Sequence, residues 1–505
     1  MACLAAVLVQ GSAVAVATGA AGQQGPQVYS IRAGHTAAAE PFALPRRLAR
    51  LFERTAEPMP QPGNWALVLA GLIGAGTIAR RRKALMTRSL AVRPPADVRS
   101  AGRTGAGNLS YGVAGLLLLP ATHSHAQDPA KLTPFVEETL TTDDNVFRIS
   151  SAVDPATVIG SSSRGDTYRT TSFGLAAEMP VSLQRFVANL TFNNTRYQRF
   201  SQLDSNGHDL RASWLWQAGK DLAGELGYSD TYSLAGFAQT LSTTPDLLKL
   251  RQGFVNGTWM VTPYWQLRAA GDHLEQRNSA AASLYNDVTI NGVEASVSRL
   301  SRAGNSIGLG TRIESGRFPT PEPLGTALVD NAYRQYAVGP RLDWTISGVS
   351  HLTARADQVS RRYDQLPQRN FDGQTAHAEF TWTPTGKLTL TAFAQRDISP
   401  YEYVRSDLVL LKGFGLRPAW HMSPKIDLSA DLEVVTRSYL ADAAQALGLL
   451  GQRDDRVHAM SALLVYHPLH TLTLQASLLH ESRSSSVVFG DYAANVAWIN
   501  ARLAF

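Results

Sequence analysis

Few residues in this chain have the types and spacing that catalysis or metal binding requires. Asp143, Asp144 and Asn145 are adjacent and carry the hard oxygen atoms that Ca²⁺ prefers. Three consecutive positions cannot all point to one side of a strand, however, and no EF-hand spacing follows them. We therefore interpret them as a polar turn or bulge in which the side chains bond to nearby backbone.

Two groups of histidine-containing residues are weaker candidates. His467 and His470 are close in sequence, but the proline between them is more typical of a turn than of a metal site. His458, Ser461 and Asp455 include the residue types of a hydrolytic triad, yet nothing around them resembles a nucleophile elbow or a zinc motif. We expect no catalytic residue, metal or cofactor, and hence no enzyme.

The elements that must carry these residues are short strands separated by regularly spaced turns. Eight short turn signals recur roughly every 40 residues, and two alternating runs with a longer polar segment lie between each pair. The signals are Met179–Ser182, Gly219–Lys220, Thr262–Pro263, Ser301–Gly304, Ser347–Gly348, Pro384–Gly386, Ser423–Pro424 and His467–Pro468. This layout predicts an all-β, transmembrane antiparallel outer-membrane β-barrel with short periplasmic turns and long extracellular loops.

The alternation of polarity supports a membrane barrel over a soluble sandwich. After Lys425, Leu428 and Leu432 lie on one face of the strand, whereas Asp427, Asp431 and Glu433 lie on the other. A soluble sandwich would rarely bury three carboxylates, so this face is expected to contact water and the opposite face to contact lipid.

Aromatic residues track the short turns. Trp or Tyr lies just before most of them, as expected for a periplasmic aromatic girdle, at Trp216, Trp259, Trp344, Trp382, Trp420 and Tyr466. The chain ends on an alternating strand whose last residue is Phe505, which is similar to the signal read by the outer-membrane barrel assembly machinery. Outer-membrane lipid and that machinery are therefore the first expected partners.

Eight short turns and two periplasmic chain ends predict eighteen strands, the first near residues 134–142 and the last near 491–505. Sixteen strands remain an alternative, because the first hairpin is weakly patterned. The long loops are expected near residues 155, 202, 243, 281, 323, 368, 402, 447 and 486. The strand pattern also nominates charged residues that face the lumen: Asp209, Arg211, Arg268, Asp272, Arg355, Asp357, Glu379, Asp427, Asp431 and Glu433.

Charge is divided unevenly along the chain. The whole sequence has a net charge of +6, but residues 1–126 carry 13 Lys/Arg against 4 Asp/Glu, so the remainder has a net charge of −3. The basic balance therefore belongs to the leader, and no nucleic-acid partner is expected. The single cysteine, Cys3, also lies there, which leaves residues 127–505 without a disulfide.

The leader contains two targeting-like elements. Residues 86–126 have the arginines, short apolar core and small residues of a signal peptide, with cleavage between Ala126 and Gln127. Upstream, residues 58–83 resemble a PEP-CTERM sorting tail, with Gln61 where that tail carries Glu. An ordinary amino-terminal membrane anchor is the alternative. We interpret residues 1–85 as a fused or mis-started segment and residues 127–505 as the barrel of the mature protein.

The run Asp143, Asp144, Asn145, Val146, Phe147 and Arg148 resembles the opening signature of EpsL-type proteins, the outer-membrane barrels of exosortase-associated exopolysaccharide biosynthesis loci. The length and barrel pattern of residues 127–505 are also similar. The resemblance implies a component of exopolysaccharide biosynthesis or export in a Gram-negative outer membrane, with the polysaccharide and other envelope components as partners. The alternative is a general or substrate-selective diffusion porin.

Overall fold

A computed structural model describes residues 130–505 apart from 239–241, 325–326, 400–407 and 441–452. Within these residues the chain forms an 18-stranded antiparallel sheet and one small two-stranded sheet. The predicted leader, including the 86–126 signal peptide and the cleavage site at Ala126 and Gln127, lies outside the described residues. No helix among the described residues is long and apolar enough to cross a membrane.

The first half of the sheet consists of β1 to β9, followed by the small hairpin β10–β11 within a loop. Their bounds are β1 Lys131–Asp143, β2 Asp166–Val181, β3 Gln184–Tyr197, β4 Ser205–Ala218, β5 Leu222–Leu234, β6 Leu247–Thr262, β7 Trp265–Asn278, β8 Val288–Leu300, β9 Ser306–Arg317, β10 Glu322–Leu324 and β11 Ala327–Val329. Helix α1 (Pro155–Ile159) lies between β1 and β2, and Asp154 caps it by accepting a hydrogen bond from the Ala156 amide.

The second half of the sheet continues from β12 to β20. The bounds are β12 Tyr333–Ser347, β13 Ser350–Tyr363, β14 Phe371–Thr385, β15 Leu388–Ser399, β16 Leu408–Ser423, β17 Ile426–Leu440, β18 Asp454–Leu469, β19 Leu472–Ser485 and β20 Tyr492–Ala504. Short 3₁₀ helices occupy Ser201–Leu203, Ala281–Asn286 and Pro367–Arg369.

The sheet closes on itself, because β9 pairs with β12 and β1 pairs with β20. The closing register joins Phe135 to Ala504 and Asp143 to Val496. Among the described residues, closure leaves no strand of the 18-stranded sheet with an open edge, which is the condition for a sheet to lie in lipid. The predicted fold class and the predicted number of eighteen strands are therefore confirmed.

The short turns fall where the sequence placed them, with one local difference. Gly219 and Gly304 adopt φ values of +67° and +83° in their turns, a conformation that glycine reaches without steric cost. The turn predicted at His467–Pro468 instead lies between Leu469 and Leu472. An irregularity in the β18–β19 register after Tyr466 absorbs Pro468, which cannot donate a ladder hydrogen bond.

Polarity is inverted relative to a soluble protein. Apolar residues such as Val293, Leu478 and Ile499 are 60% or more exposed on the outer surface, whereas arginines and carboxylates are buried inside. The six predicted girdle aromatics all lie on outward-facing positions, near the end of the barrel that carries the short turns. This exterior matches hydrocarbon and headgroup layers rather than water.

Candidate functional site in the barrel lumen

The inner face of the barrel follows from the strand register, because directly opposed residues of antiparallel strands share a face. All ten charged residues nominated from the sequence lie on this face: Asp209, Arg211, Arg268, Asp272, Arg355, Asp357, Glu379, Asp427, Asp431 and Glu433. The structure brings several of them into contact. Arg211 pairs with Asp209 at 3.1 Å, and Asp272 accepts a 2.7 Å hydrogen bond from Arg312.

Other inward pairs were not singled out from the sequence. Arg312 also contacts Glu314 at 3.1 Å, and Arg341 contacts Asp357 at 2.7 Å. Glu481 and Arg483 lie on the same face of β19 as Gln475. Extending the period-two alternation through Leu479 would have found both of them, but the apolar Leu479 interrupts the polar face.

Carboxylates outnumber cations on the inner face of the described strands. The carboxylates are Glu137, Asp143, Asp166, Glu178, Asp209, Glu225, Asp272, Glu294, Glu314, Asp343, Asp357, Glu379, Asp397, Asp427, Asp431, Glu433, Asp455 and Glu481. The cations are Lys131, Arg185, Arg211, Arg268, Arg312, Arg341, Arg355, Arg361, Arg417, Arg437, Arg483 and Arg502. The lumen wall therefore carries a net negative charge.

The inner face of the barrel becomes less exposed from the periplasmic to the extracellular end, as strand β17 shows. Asp427 and Asp431, nearer the short turn, have side chains 39% and 31% exposed. Farther along the strand, Glu433 is 8% exposed and Arg437 only 1% exposed. The periplasmic half is thus open to water, whereas the extracellular half is filled by packed side chains.

Arginines cover several of the inward aromatic rings. Arg361 stacks over Tyr333 with its Cζ 4.2 Å from the ring centroid, and Arg417 stacks over Phe393 at 4.0 Å. Similar contacts join Arg453 to Tyr439, Arg483 to Tyr492 and Arg502 to Phe135. These ring faces are occupied by guanidinium groups and are not available for stacking on a sugar.

The signature residues form the extracellular end of this packed layer. Asp143 accepts a hydrogen bond from the Asn145 amide at 2.8 Å, and the Arg148 guanidinium contacts both oxygens of Asp143 at 3.0 and 2.8 Å. The Asn145 side chain donates to the carbonyls of Ile149 and Ala493. These contacts form the polar turn that the sequence favoured over a Ca²⁺ site.

Asp144 forms hydrogen bonds that join the end of β1 to β20. Its carboxylate accepts hydrogen bonds of 2.7 Å from both the backbone amide and the side-chain amide of Asn495 in β20. Its own amide donates to the Asn495 carbonyl at 3.1 Å. At the other end of the same seam, the Phe505 amide donates to the Pro134 carbonyl at 2.9 Å. The junction between β1 and β20 is therefore stabilised at one end by Asp144 and at the other by Phe505. The sequence analysis had selected Asp144 as part of a signature and Phe505 as part of an assembly signal.

Phe147 joins three extracellular loops, L1 (144–165), L2 (198–204) and L3 (235–246). Its ring lies 5.0 Å from that of Phe200 in L2 and 4.7 Å from that of Phe237 in L3. All three rings are buried, together with Val146 and Leu203. L3 also contacts the opposite wall, where Arg483 donates a 2.5 Å hydrogen bond to the Ala238 carbonyl.

A cavity of about 190 Å³ lies next to these loops. It is lined by polar and aromatic side chains that include Asp143, Arg148, Tyr168, Tyr197, Asp209 and Glu481. Burial tends to lower the pKa of the Arg148 guanidinium, but the carboxylates of Asp143 and Glu481 outweigh it and raise the pKa above its ordinary value. The cavity therefore holds a permanent cation among carboxylates and hydroxyls.

The remaining candidates do not assemble into reactive groups. His458 lies on the outer face of β18, whereas Ser461 and Asp455 lie on its inner face. The His467 ring contacts the Thr473 hydroxyl at 3.1 Å, and His470 lies in the turn after β18. Among the described residues, no three His, Cys, Asp or Glu side chains are grouped so that they could hold a metal ion.

Comparison with known proteins gives one family match and a set of similar barrels. Residues 356–505 match the family described as "Putative beta-barrel porin 2". A search of curated proteins finds no significant match.

Similar solved structures include outer-membrane protein OpdK from Pseudomonas aeruginosa, with 10% identity and a TM-score of 0.42, over 74% of this chain and 99% of that one. OccK9 (OpdG) of the same species has 12% identity and a TM-score of 0.41, over 74% and 98%. OccAB3 from Acinetobacter baumannii has 10% identity and a TM-score of 0.39, over 74% and 99%.

The closed barrel, its apolar exterior and the family match define the class of protein. The chain is a porin-like β-barrel of the Gram-negative outer membrane, with a charged lumen and a packed extracellular end. The predicted localisation is confirmed.

Proposed function

We propose that this protein is a selective channel that admits small polar solutes and discriminates among them by charge. The observation that carries the proposal is the decrease in exposure along the inner face of β17, from 39% at Asp427 to 1% at Arg437. A wide periplasmic vestibule that ends in a layer of paired charges is typical of a filter, since solutes must exchange water for fixed charged groups there.

The sign of the lumen charge indicates which solutes are favoured. Carboxylates exceed cations on the inner face, and rings of Asp and Glu favour cations in water-filled pores. Low-dielectric walls strengthen this preference by focusing the field along the pore axis. We therefore expect small cations and neutral polar solutes to pass more readily than anions.

The preference for small solutes has a steric basis. A glycan chain could cross the layer around Arg361 and Arg437 only if these almost completely buried side chains and their partners separated. Five of the inward aromatic rings on which a pyranose could stack are covered by arginines. Both features favour solutes that fit beside the ion pairs over a polymer that displaces them.

Planar-bilayer recordings of the purified protein test the proposal. In a KCl gradient, the zero-current potential should indicate cation selectivity, and a variant with Asp427→Asn and Asp431→Asn should lower the cation-to-anion permeability ratio at least twofold. Asp372→Asn is the matched control, because this carboxylate lies on the outer face and should leave the ratio unchanged. Anion selectivity of the unmodified protein would overturn the predicted preference for cations. Equal ratios in all three proteins would exclude selection by the inward carboxylates of β17.

A second candidate is a component of exopolysaccharide biosynthesis or export, and one observation favours it. All six residues of the EpsL-type signature are present, and Asp143, Asp144, Asn145, Phe147 and Arg148 each make contacts that organise the extracellular mouth. In this function, L1 and L3 would open together when the polysaccharide and its envelope partners engage.

Deletion of the gene separates the two candidates. If secreted polysaccharide falls while uptake of small nutrients is unchanged, the export function is supported over the solute channel. Normal secretion with reduced permeability to small cations supports the channel.

A further inference from the structure

The outer surface of the barrel carries cations near its extracellular end. Four pairs of like charge lie directly opposite each other on neighbouring strands: Arg169 with Arg196, Lys249 with Arg277, Arg334 with Arg362, and Arg396 with Lys412. All eight residues point outward, because they share the parity of lipid-facing residues such as Leu175, Phe192, Val255, Val338 and Phe414. Like charges directly opposite in a sheet are destabilising, so a bound anion would relieve the repulsion.

The pairs differ in how well protein carboxylates compensate them. Arg169 forms an ion pair of 3.0 Å with Glu138, and Arg196 forms one of 3.8 Å with Asp204. Lys249 and Arg277 lie beside Arg251, Asp230 and Glu275, whose side chains are joined by ion pairs of 3.0 to 3.4 Å. The carboxylates of Asp230 and Glu275 therefore compensate the charge of these cations without a bound anion.

The patch formed by Arg317, Arg334 and Arg362 is much less compensated. Arg317 lies diagonally from Arg334, two residues along β9 from Ser315, the residue opposite Arg334. Within the part of the chain that the structure describes, neither Arg317 nor Arg334 forms an ion pair. Arg362 forms one, with the exposed Asp372 at 2.7 Å, and also donates to the carbonyls of Arg361 and Phe371. Three exposed guanidinium groups thus share one carboxylate.

Apolar side chains continue directly below this patch toward the membrane centre. Tyr336 lies two residues beyond Arg334 on β12, roughly 7 Å away, and Ile313 lies opposite Tyr336 on β9; they are 51% and 53% exposed. Leu309 and Ile307 extend the apolar surface, at 54% and 56% exposed. A molecule seated here would meet cations at one end and a hydrocarbon-like wall along its length.

We propose that Arg317, Arg334 and Arg362 bind a phosphorylated lipid of the outer leaflet, with its phosphates on the guanidinium groups and its acyl chains along Tyr336 and Ile313. Guanidinium groups bind phosphate through paired, charge-assisted hydrogen bonds, and their planar donors suit this geometry better than a lysine would. The position at the extracellular end, next to the long loops, places the patch at the headgroup level of the outer leaflet. The proposal rests on the membrane orientation and does not depend on what crosses the lumen.

The test uses the full-length barrel purified in a zwitterionic detergent and measures lipid binding by titration and by native mass spectrometry. The probes are bis-phosphorylated lipid A, lipid A lacking both phosphates, and inorganic phosphate. The site variant carries Arg317→Gln, Arg334→Gln and Arg362→Gln. Arg456→Gln is the matched control, because Arg456 is an exposed outward cation at the same end of the barrel, opposite Thr436 and Ser484 rather than another cation.

We expect bis-phosphorylated lipid A to bind the unmodified protein and the Arg456→Gln control with equal affinity. Each arginine near a membrane surface contributes about a fivefold gain in binding to anionic lipid, so the triple variant should bind about a hundredfold more weakly. Removing like-charge repulsion should leave its heat-modifiable folding unchanged or improved.

Three results would overturn the proposal. They are equal affinity of the triple variant, equal affinity for lipid A without phosphates, and displacement of the lipid by inorganic phosphate at a concentration comparable to that of the lipid. The last result would indicate an anion site with no contribution from the acyl chains.

Discussion

The Arg148 guanidinium holds both carboxylate oxygens of Asp143, at 3.0 and 2.8 Å, across the turn that leads from the first strand into the first extracellular loop. Arg148 itself has a φ of +55°, which few residues other than glycine adopt. The ion pair therefore stabilises a backbone conformation that the chain would otherwise avoid, and it directs Phe147 toward the other loops.

Removing either partner of this pair should destabilise the extracellular end. Both side chains are nearly buried, so Arg148→Gln would leave the Asp143 charge without its partner, at a cost of about 3 kcal/mol. We expect faster cleavage of L1 by external protease and a lower unfolding temperature. The double variant Asp143→Asn, Arg148→Gln should lose less than Arg148→Gln alone; a larger loss would show that the pair is not what the turn depends on.

Phe147→Ala should loosen the mouth of the channel. The ring joins L1 to Phe200 and Phe237, and truncating a buried Phe typically costs about 3 to 5 kcal/mol. Single-channel recordings should show a larger mean conductance or more frequent openings. Phe489→Ala is a suitable control, because Phe489 is 59% exposed in another extracellular loop. Identical recordings for all three proteins would mean that the loop cluster does not restrict flow.

The seam between β1 and β20 should govern assembly. Deleting Phe505 removes a backbone hydrogen bond to Pro134 and the terminal residue of the predicted assembly signal, whereas shortening the segment between β17 and β18 leaves strand pairing intact. We expect the Phe505 deletion to reduce the folded, outer-membrane fraction severely and the loop deletion to have little effect. Equal surface levels of the two variants would contradict this, since an open edge in lipid costs several kcal/mol per unpaired group.

Lysine substitutions on the two faces of β17 should have opposite consequences. Leu428→Lys places a charge against lipid and should reduce the free energy of unfolding by roughly 2 to 4 kcal/mol near the midplane. Asp431 lies on the water-filled face and accepts a hydrogen bond from Arg417. Asp431→Lys should therefore alter ion selectivity rather than stability. Urea unfolding in lipid vesicles and bilayer recordings measure the two effects. Normal stability of the Leu428 variant with misfolding of the Asp431 variant would contradict the assigned facing.

Processing can be checked by amino-terminal sequencing of the outer-membrane form. The Ser124-His125-Ala126 sequence predicts a mature protein that begins at Gln127. A protein started at Met86 should then assemble as well as the full chain. A mature form that retains residues 65–83 would show that the upstream apolar segment belongs to the working protein.

Most of the fold could be predicted from the sequence, because strand alternation and turn formation depend on residues close together in the chain. Because a strand between lipid and water changes polarity at every residue, the alternation assigned Asp427 and Leu428 to opposite faces, and together with the eight turn signals it predicted eighteen strands. Short turns need residues that tolerate a sharply bent backbone, so the positions of the turns could also be predicted from the sequence. The one displaced turn, at His467–Pro468, lies beside a bulge, which depends on the pairing partner and not on local composition.

Only the tertiary structure decided how the two ends of the lumen differ. Asp427 and Arg437 share one face of one strand and the same alternation, yet one lies in an open vestibule and the other is buried. Similarly, Phe147 meets Phe237, and Arg483 meets Ala238, across long intervals of sequence. These contacts exist only after the sheet has closed and brought distant loops over the same opening. The alternation of polarity along a strand predicts whether a residue faces lipid or lumen. Its burial depends on which side chains and loops the closed barrel brings next to it.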